Sequence, residues 1–348
     1  MRIFASPRAY IQGPGALDEL AGAVARLGRR PVVVADRHAL ETLRPRLEAA
    51  LPGAAILPFE GFVTSEAIAA LTAQAGAADV VVALGGGRAI DAGKGVAIAL
   101  GAPVVVVPTI ASSDASTSRG SVVHDAADDF VEVRRLAWNP DLVLVDTAVI
   151  AAAPARFLRW GVGDALSKLF EARACQAAGG RNAHGGSAPI AAVALAEACY
   201  RTLRESAVAA LASVERHETS PELEDVVEAA LLLSGLGFES GGLSIAHTVA
   251  LALAAMEETR AAAHGEQVGY GLLVQLALES EQELADIWVF MGEVGLPRRL
   301  GELATRTPAI EDLARRATEG LWVRNFPRPL SAEDFADAIG KVEGLGGV

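Results

Sequence analysis

At 348 residues the chain is long enough for two domains with sizeable cores, and 51% of it is hydrophobic but only 5% aromatic, so the interior rests on Ala, Val, Leu and Ile. A formal net charge of −13 leaves no basic field to draw in nucleic acid or an anionic membrane surface, although a small anion held by a few local arginines stays open.

From the N-terminus, PVVVAD (31–36), AAILPF (54–59), DVVVALGGG (79–87), PVVVVPT (103–109) and LVLVDT (142–147) are short β-branched runs. Alanine-rich helical stretches such as 15–28 and 66–76 lie between most of them. Nearly continuous apolar strands alternating with helices are what a parallel sheet covered on both faces requires. GSVVHD and FVEVRRL, joined by AADD, read instead as an inserted β-hairpin. Beyond Asp146 the apolar residues fall at helical spacing and no further clear strand follows. The fold class expected is therefore an α/β, Rossmann-like domain over residues 1–150 followed by an all-α domain over 151–348, with the terminal GLGGV frayed. Cys175 and Cys199 lie in helical sequence without CxxC spacing, which suits small core residues rather than a disulfide framework or a thiolate zinc site. MRIFASPRAY at the N-terminus has no apolar signal core, and no run of eighteen apolar residues follows, so a cytoplasmic protein without a membrane span is expected.

VVVALGGGRAIDAGKG is a buried strand, three glycines and a helix start. Glycines at such a junction admit a ligand close to the backbone, and the helix presents free N–H groups and a positive dipole end, so a phosphate or pyrophosphate is one occupant and a plain tight turn the other reading. The stretch is neither GxGxxG nor a Walker A loop. Asp36 closes an early strand, where an acid can accept from a ribose and repel a 2′-phosphate, favouring NAD, or simply cap the next helix. Two of the six histidines, His247 and His264, fall in the apolar stretch SIAHTVALALAAMEETRAAAHGEQVGYG. On one unbroken helix they would lie ~25 Å apart. A reversal at Glu257–Arg260 would bring both rings to one point; one core and one exposed histidine is the other reading.

LGGGRAIDAGKG, PTIASSDASTSRGSV, NPDLVLVDT, GVGDALSKLFEARA, LLLSGLGFESGGLSIAHTV and HGEQVGYG, with YIQGPGAL near the start, together resemble the glycerol dehydrogenases of the iron-containing and zinc-dependent polyol dehydrogenase superfamily. The resemblance runs in order over nearly the whole chain. It implies a dehydroquinate synthase-like two-domain architecture with a deep cleft. It also implies a divalent metal on Asp164, His247 and His264, with zinc first and ferrous iron or another divalent ion as the alternative. One carboxylate and two neutral imidazoles suit such an ion, which acidifies a bound alcohol so that hydride passes from the metal alkoxide to NAD. Asp164 is read as following two glycines that precede a helix, and His264 as opening one. Asp114 matches the residue at the substrate hydroxyls, with a turn cap as its other reading. Gly86, Gly87, Thr109, Ser112 and Ser118 match positions lining the dinucleotide, and Phe238 an aromatic near the substrate. His184 and His217 match nothing functional and are read as surface residues. The resemblance further implies a homo-oligomer, as rings of eight are common in the family.

The departures from the family pattern cluster around the expected active site. Arg88 stands for the usual Lys after the glycines, TSRGSVVH places Arg119, Gly120 and His124 where TSALSVIY is usual, Ala250 replaces a second histidine, and LWVRN sets Trp322 and Arg324 where ETIHN has Thr and His. Arg88 and His124 are kept as cofactor-binding candidates. The expected reaction is NAD- and zinc-dependent interconversion of a small alcohol or polyol and its carbonyl. Three alternatives are weighed: the same chemistry on an anionic hydroxy substrate held by Arg119 or Arg324, a dehydroquinate synthase-like lyase, and a non-enzymatic binding descendant.

Overall fold

A computed structural model describes residues 1–346. The chain divides into two compact units, one formed by Ala5–Ala155 with Ser213–Gly235, the other by Met1–Phe4, Arg156–Ala212 and Leu236–Val348. The fraying expected for 344–348 falls, at residues 347 and 348, outside the described residues.

The first unit is built on β1 (Tyr10–Gly13), β2 (Pro31–Asp36), β3 (Ala55–Phe59), β4 (Val80–Gly85), β5 (Val104–Pro108), β6 (Gly120–His124), β7 (Phe130–Arg135) and β8 (Leu142–Asp146). Six of these form one sheet in the order β1-β8-β5-β4-β2-β3, all pairs parallel. Strands β4, β5 and β8 are buried along their whole length, which is why they read as nearly continuous apolar runs rather than as alternation. The crossover helices are α1 (Leu20–Ala25), α2 (Arg37–Ala50), α3 (Ser65–Ala75) and α4 (Gly87–Leu100), and α5 (Thr147–Ala152) follows the last strand. On one face Leu20, Val24, Leu43 and Leu47 pack with Val33, Val82, Val105 and Leu144. Strands β6 and β7 pair as the expected antiparallel hairpin. The edge strand β1 is the one the sequence concealed. Its four residues are only partly buried, and its pairing with β8, Tyr10 against Val143, identifies it.

Chain order against strand order fixes where a ligand can sit. Strand β2 leads to β3 at one edge, whereas β4 lies on the opposite side of β2. The crevice between the carboxyl ends of β2 and β4 is therefore the topological switch point, the usual ligand position of an open parallel sheet.

The remaining helices are α6 (Ala155–Leu166), α7 (Lys168–Ala177), α8 (Ile190–Glu215), α9 (Pro221–Glu228), α10 (Ser234–Gly241), α11 (Ile245–Ala254), α12 (His264–Glu279), α13 (Glu281–Glu293), α14 (Leu300–Leu303), α15 (Ile310–Thr318) and α16 (Ala332–Gly344). Between α9 and α10 the backbone takes π geometry over Ala229–Leu233. Residues 213–235 join the sheet unit through Gln12 Nε2 donating to Glu224 Oε2 (2.8 Å) and Thr117 Oγ1 donating to the Leu231 carbonyl (2.8 Å).

Two expectations need correction in the helical unit. Gly161 and Gly163 lie inside α6 rather than ahead of a helix, and helix packing needs Gly163 there. A Cβ on Gly163 would stand 2.3 Å from the Gly265 carbonyl, and one on Gly265 would stand 1.8 Å from the Trp160 carbonyl. His184 is also not a surface residue. Its side chain is 4% exposed, with Nε2 4.0 Å from the Glu239 carboxylate. His217, by contrast, is exposed as expected, and both cysteines are buried thiols rather than a disulfide. Among the described residues no single helix is long and apolar enough to cross a membrane; one bent pair, Pro221–Gly241 with Ile245–Ala254, reaches that length and composition only across a 103° break.

Candidate functional site

Helices α6, α11 and α12 bring Asp164, His247 and His264 together, and the sequence contains the means. The run after α11 reverses the chain. Thr259 Oγ1 donates to the Leu253 carbonyl (2.6 Å), and Gln267 Nε2 donates to the Thr259 carbonyl (3.1 Å). Glu266 accepts the Ala263 N–H (2.9 Å), so that α12 opens on His264. A Cβ on Gly271 would stand 2.2 Å from the Ala246 carbonyl, so α12 lies directly against α11 beside His247. Asp164 Oδ1 is 3.3 Å from His247 Nε2 and 3.7 Å from His264 Nε2. The two imidazole centroids are 5.5 Å apart, and one ligand atom from each of the three residues lies within 4.8 Å of the others.

Asp164 is 1% exposed, and its Oδ2 has no hydrogen-bond partner. A buried carboxylate oxygen without a donor is costly, so a divalent cation fits this donor set. His264 keeps 51% exposure, which leaves the trio a side open to small molecules. Burial alone would raise the Asp164 carboxyl, but Lys168 and the two histidines outweigh it and hold it below the usual carboxylate range. Lys168 Nζ donates to Asp164 Oδ1 (2.5 Å) and lies 3.2 Å from His247 Nε2. Glu171 takes the other side of His247, with Oε2 2.6 Å from Nδ1. Neither Lys168 nor Glu171 is a site residue by sequence reading. The available signal is their spacing from Asp164, four and seven residues, which puts all three on one helical face.

Aromatic rings flank the same group. Phe238 stands with its ring centroid 5.6 Å from Lys168 Nζ. Trp322 meets His247 edge to face, with centroids 6.1 Å apart. Arg324, two residues on, is exposed on the short turn Val323–Asn325.

The other candidates belong to the sheet unit. Asp36 caps α2, its Oδ1 accepting from the His38 (2.9 Å) and Ala39 (3.1 Å) N–H groups. It also borders the glycine loop: Gly85 has φ +142°, and a Cβ there would meet that of Asp36 at 2.6 Å. Gly86 caps α4 and Gly87 begins it. The Thr109 N–H donates to the Gly85 carbonyl (3.0 Å). The carboxyl ends of β2, β4 and β5 thus converge at the switch point with Asp36, Gly86, Gly87 and Thr109. Ser112 is half-buried nearby in sequence. Ser118 is tied inward, accepting from the buried Lys94 Nζ (3.3 Å), which also donates to the Gly120 carbonyl (2.9 Å). Arg88 pairs with Asp128 (2.8 Å) and lies over Phe62, 4.9 Å from the ring centroid. His124 shares these neighbours, and burial, opposed by Asp128 and aided by Arg88, lowers its imidazole. Asp114 is buried and accepts from Ser234 Oγ (2.9 Å). Arg119 is half-buried at the entry to β6.

Residues 7–147 match the model of the iron-containing alcohol dehydrogenases. Glycolaldehyde reductase of Halobacterium salinarum is 41% identical over 321 residues, 89% of this chain and 87% of that protein. Glycerol dehydrogenase of Thermotoga maritima is 39% identical over 343 residues, 96% of this chain and 94% of that protein. Among solved structures, a probable glycerol dehydrogenase from Sinorhizobium meliloti superposes with a TM-score of 0.92 at 38% identity, covering 99% of this chain and 98% of the other. Likeness of this length and degree, in sequence and in fold, leaves one conclusion: the chain belongs to the iron-containing alcohol dehydrogenase family, as a relative of the glycerol dehydrogenases.

Proposed function

We propose that the chain is an NAD-dependent oxidoreductase that interconverts a small neutral hydroxy compound of two or three carbons and its carbonyl, with Zn²⁺ held by Asp164, His247 and His264. The observation that carries this is Asp164, a buried carboxylate with Oδ1 facing both imidazole Nε2 atoms and Oδ2 without a donor. A carboxylate with two imidazoles suits zinc and leaves a position for a substrate oxygen; ferrous iron, the metal in the family's name, is the competing ion. When bound, the cation supplies Lewis acidity to a substrate oxygen, and the dinucleotide supplies the hydride acceptor. The protein's own share is orientation and exclusion of water. Trp322 sets an apolar ring against His247, and Phe238 sets one against Lys168. Asp114, anchored by Ser234, is the candidate acceptor for a substrate hydroxyl. Gly86 and Gly87 let a pyrophosphate approach the N-terminus of α4, and Asp36 offers its second oxygen to a ribose hydroxyl. Two- and three-carbon substrates are supported by the glycolaldehyde reductase and glycerol dehydrogenases among the relatives.

The test is the initial rate of NADH formation by zinc-loaded protein on glycerol, ethylene glycol and anionic hydroxy acids, together with NADH oxidation by glycolaldehyde. Neutral two- or three-carbon compounds should turn over, and D164N or H264A should lower the rate more than about 100-fold. Turnover confined to anionic hydroxy acids would sink the substrate assignment and direct attention to Arg119 and Arg324. Restoration of chelated protein by ferrous iron but not zinc would sink the metal assignment alone.

A further inference from the structure

We propose that Glu171 is the positioning residue of the metal centre: its carboxylate holds the Nδ1 proton of His247 and so commits the Nε2 lone pair to the cation. The inference rests on the metal reading above. Glu171 is fully buried on α7, and both of its oxygens are engaged. Oε2 lies 2.6 Å from His247 Nδ1 and accepts from Ser167 Oγ (3.1 Å). Oε1 accepts the backbone N–H groups of Ser244 (2.8 Å) and His247 itself (3.0 Å).

Two consequences follow from this pattern. A neutral imidazole carries one N–H and one lone pair. A carboxylate against Nδ1 accepts only and the Lys168 ammonium, 3.2 Å from Nε2, donates only, so in the neutral ring the proton stays on Nδ1 and the lone pair on Nε2. The same carboxylate also binds the backbone at the start of α11, where Ser244 makes no side-chain cap. Ring and backbone of His247 are therefore fixed by one group, which restricts both its rotamer and its tautomer. A carboxylate behind a ligating imidazole also makes the ring a better donor.

Full-length protein should be compared as wild type and as E171Q, which keeps the shape and loses the charge. Zinc affinity is read by competition with a chromophoric chelator, and ligand geometry by the visible absorption of the Co²⁺-loaded protein. We expect E171Q to weaken zinc binding by about 10–100-fold and to alter the Co²⁺ bands while the far-ultraviolet circular dichroism is unchanged. An affinity within about threefold of wild type with the same Co²⁺ spectrum would overturn the positioning role. Because E171Q alters a buried group, a second measurement uses wild type alone. Long-range ¹H–¹⁵N spectra of ¹⁵N-histidine protein, with His247 assigned through H247Q, should show Nδ1–H, and an Nε2–H tautomer would overturn the proposal independently of any variant. Wild-type protein that binds no zinc would overturn the metal reading itself.

Discussion

Asp91 on α4 is a carboxylate whose charge the fold opposes. It is 8% exposed. Burial pushes its pKa up to about 6, against the pull of Lys94 and the Val122 N–H. Between the ordinary value of 3.8 and about 6 the folded protein keeps a proton that the unfolded chain has released. The raised pKa thus contributes stability that is fully present below about 3.8 and lost as pH rises through about 6. D91N cannot titrate, and its stability relative to wild type should rise by about 2–3 kcal/mol between pH 4 and pH 7, measured by urea unfolding. A difference that stays constant across that range would show that Asp91 is charged in the fold throughout. Residues of this kind are hard to read from sequence, since burial depth is a property of the finished packing. The trio was legible in part: the polar run between the two histidines allowed a reversal that pairs them, but one core and one exposed ring remained the other reading, and Asp164 entered only through the resemblance to the glycerol dehydrogenases. Lys168 and Glu171 were not legible as partners of that trio, because charged residues at helical spacing are ordinarily a solvated face.

At the scale of elements, the parallel strands were legible because strands buried on both faces must be continuously apolar, and β1 was missed because an edge strand is under no such demand. The helix crossings were legible only as scattered glycines. Gly265 makes this concrete, since the residue beside His264 admits α6 against α12 and no Cβ fits below the Trp160 carbonyl. Gly265→Ala must push the helices apart. It should cost about 1–3 kcal/mol in urea unfolding and weaken zinc binding by moving His264 relative to Asp164. Gly340 in α16 is the matched control: it is exposed, and a Cβ there meets nothing within 4 Å. Gly340→Ala should therefore stabilise by about 0.5–1 kcal/mol through helix propensity with zinc affinity unchanged. Equal effects of the two substitutions on zinc binding would show that the crossing does not set the site.

Over the whole molecule, the candidate metal ligands and the candidate dinucleotide residues fall in different units. Asp164, His247 and His264 all belong to the helical unit, and Asp36, Gly86, Gly87 and Thr109 all belong to the sheet unit. The change in character after Asp146 was visible in the sequence. The allocation of residues 213–235 to the sheet unit was not, because α9 has the same amphipathic spacing as its helical neighbours and only its partners, Gln12 among them, distinguish it. The allocation makes a prediction that hydrogen exchange can check, since a ligand slows local opening by the free energy of its binding, about 2.7 kcal/mol at 100 times its dissociation constant. Zinc alone should slow exchange in α6, α7 and the facing first turns of α11 and α12. NAD alone, added to chelated protein, should slow exchange where β2 meets α2 and β4 meets α4. Each ligand thereby reports on its own unit. Zinc protection centred on the glycine loop, or NAD protection confined to the helices that carry the trio, would mean that the two groups of residues have been given each other's ligands.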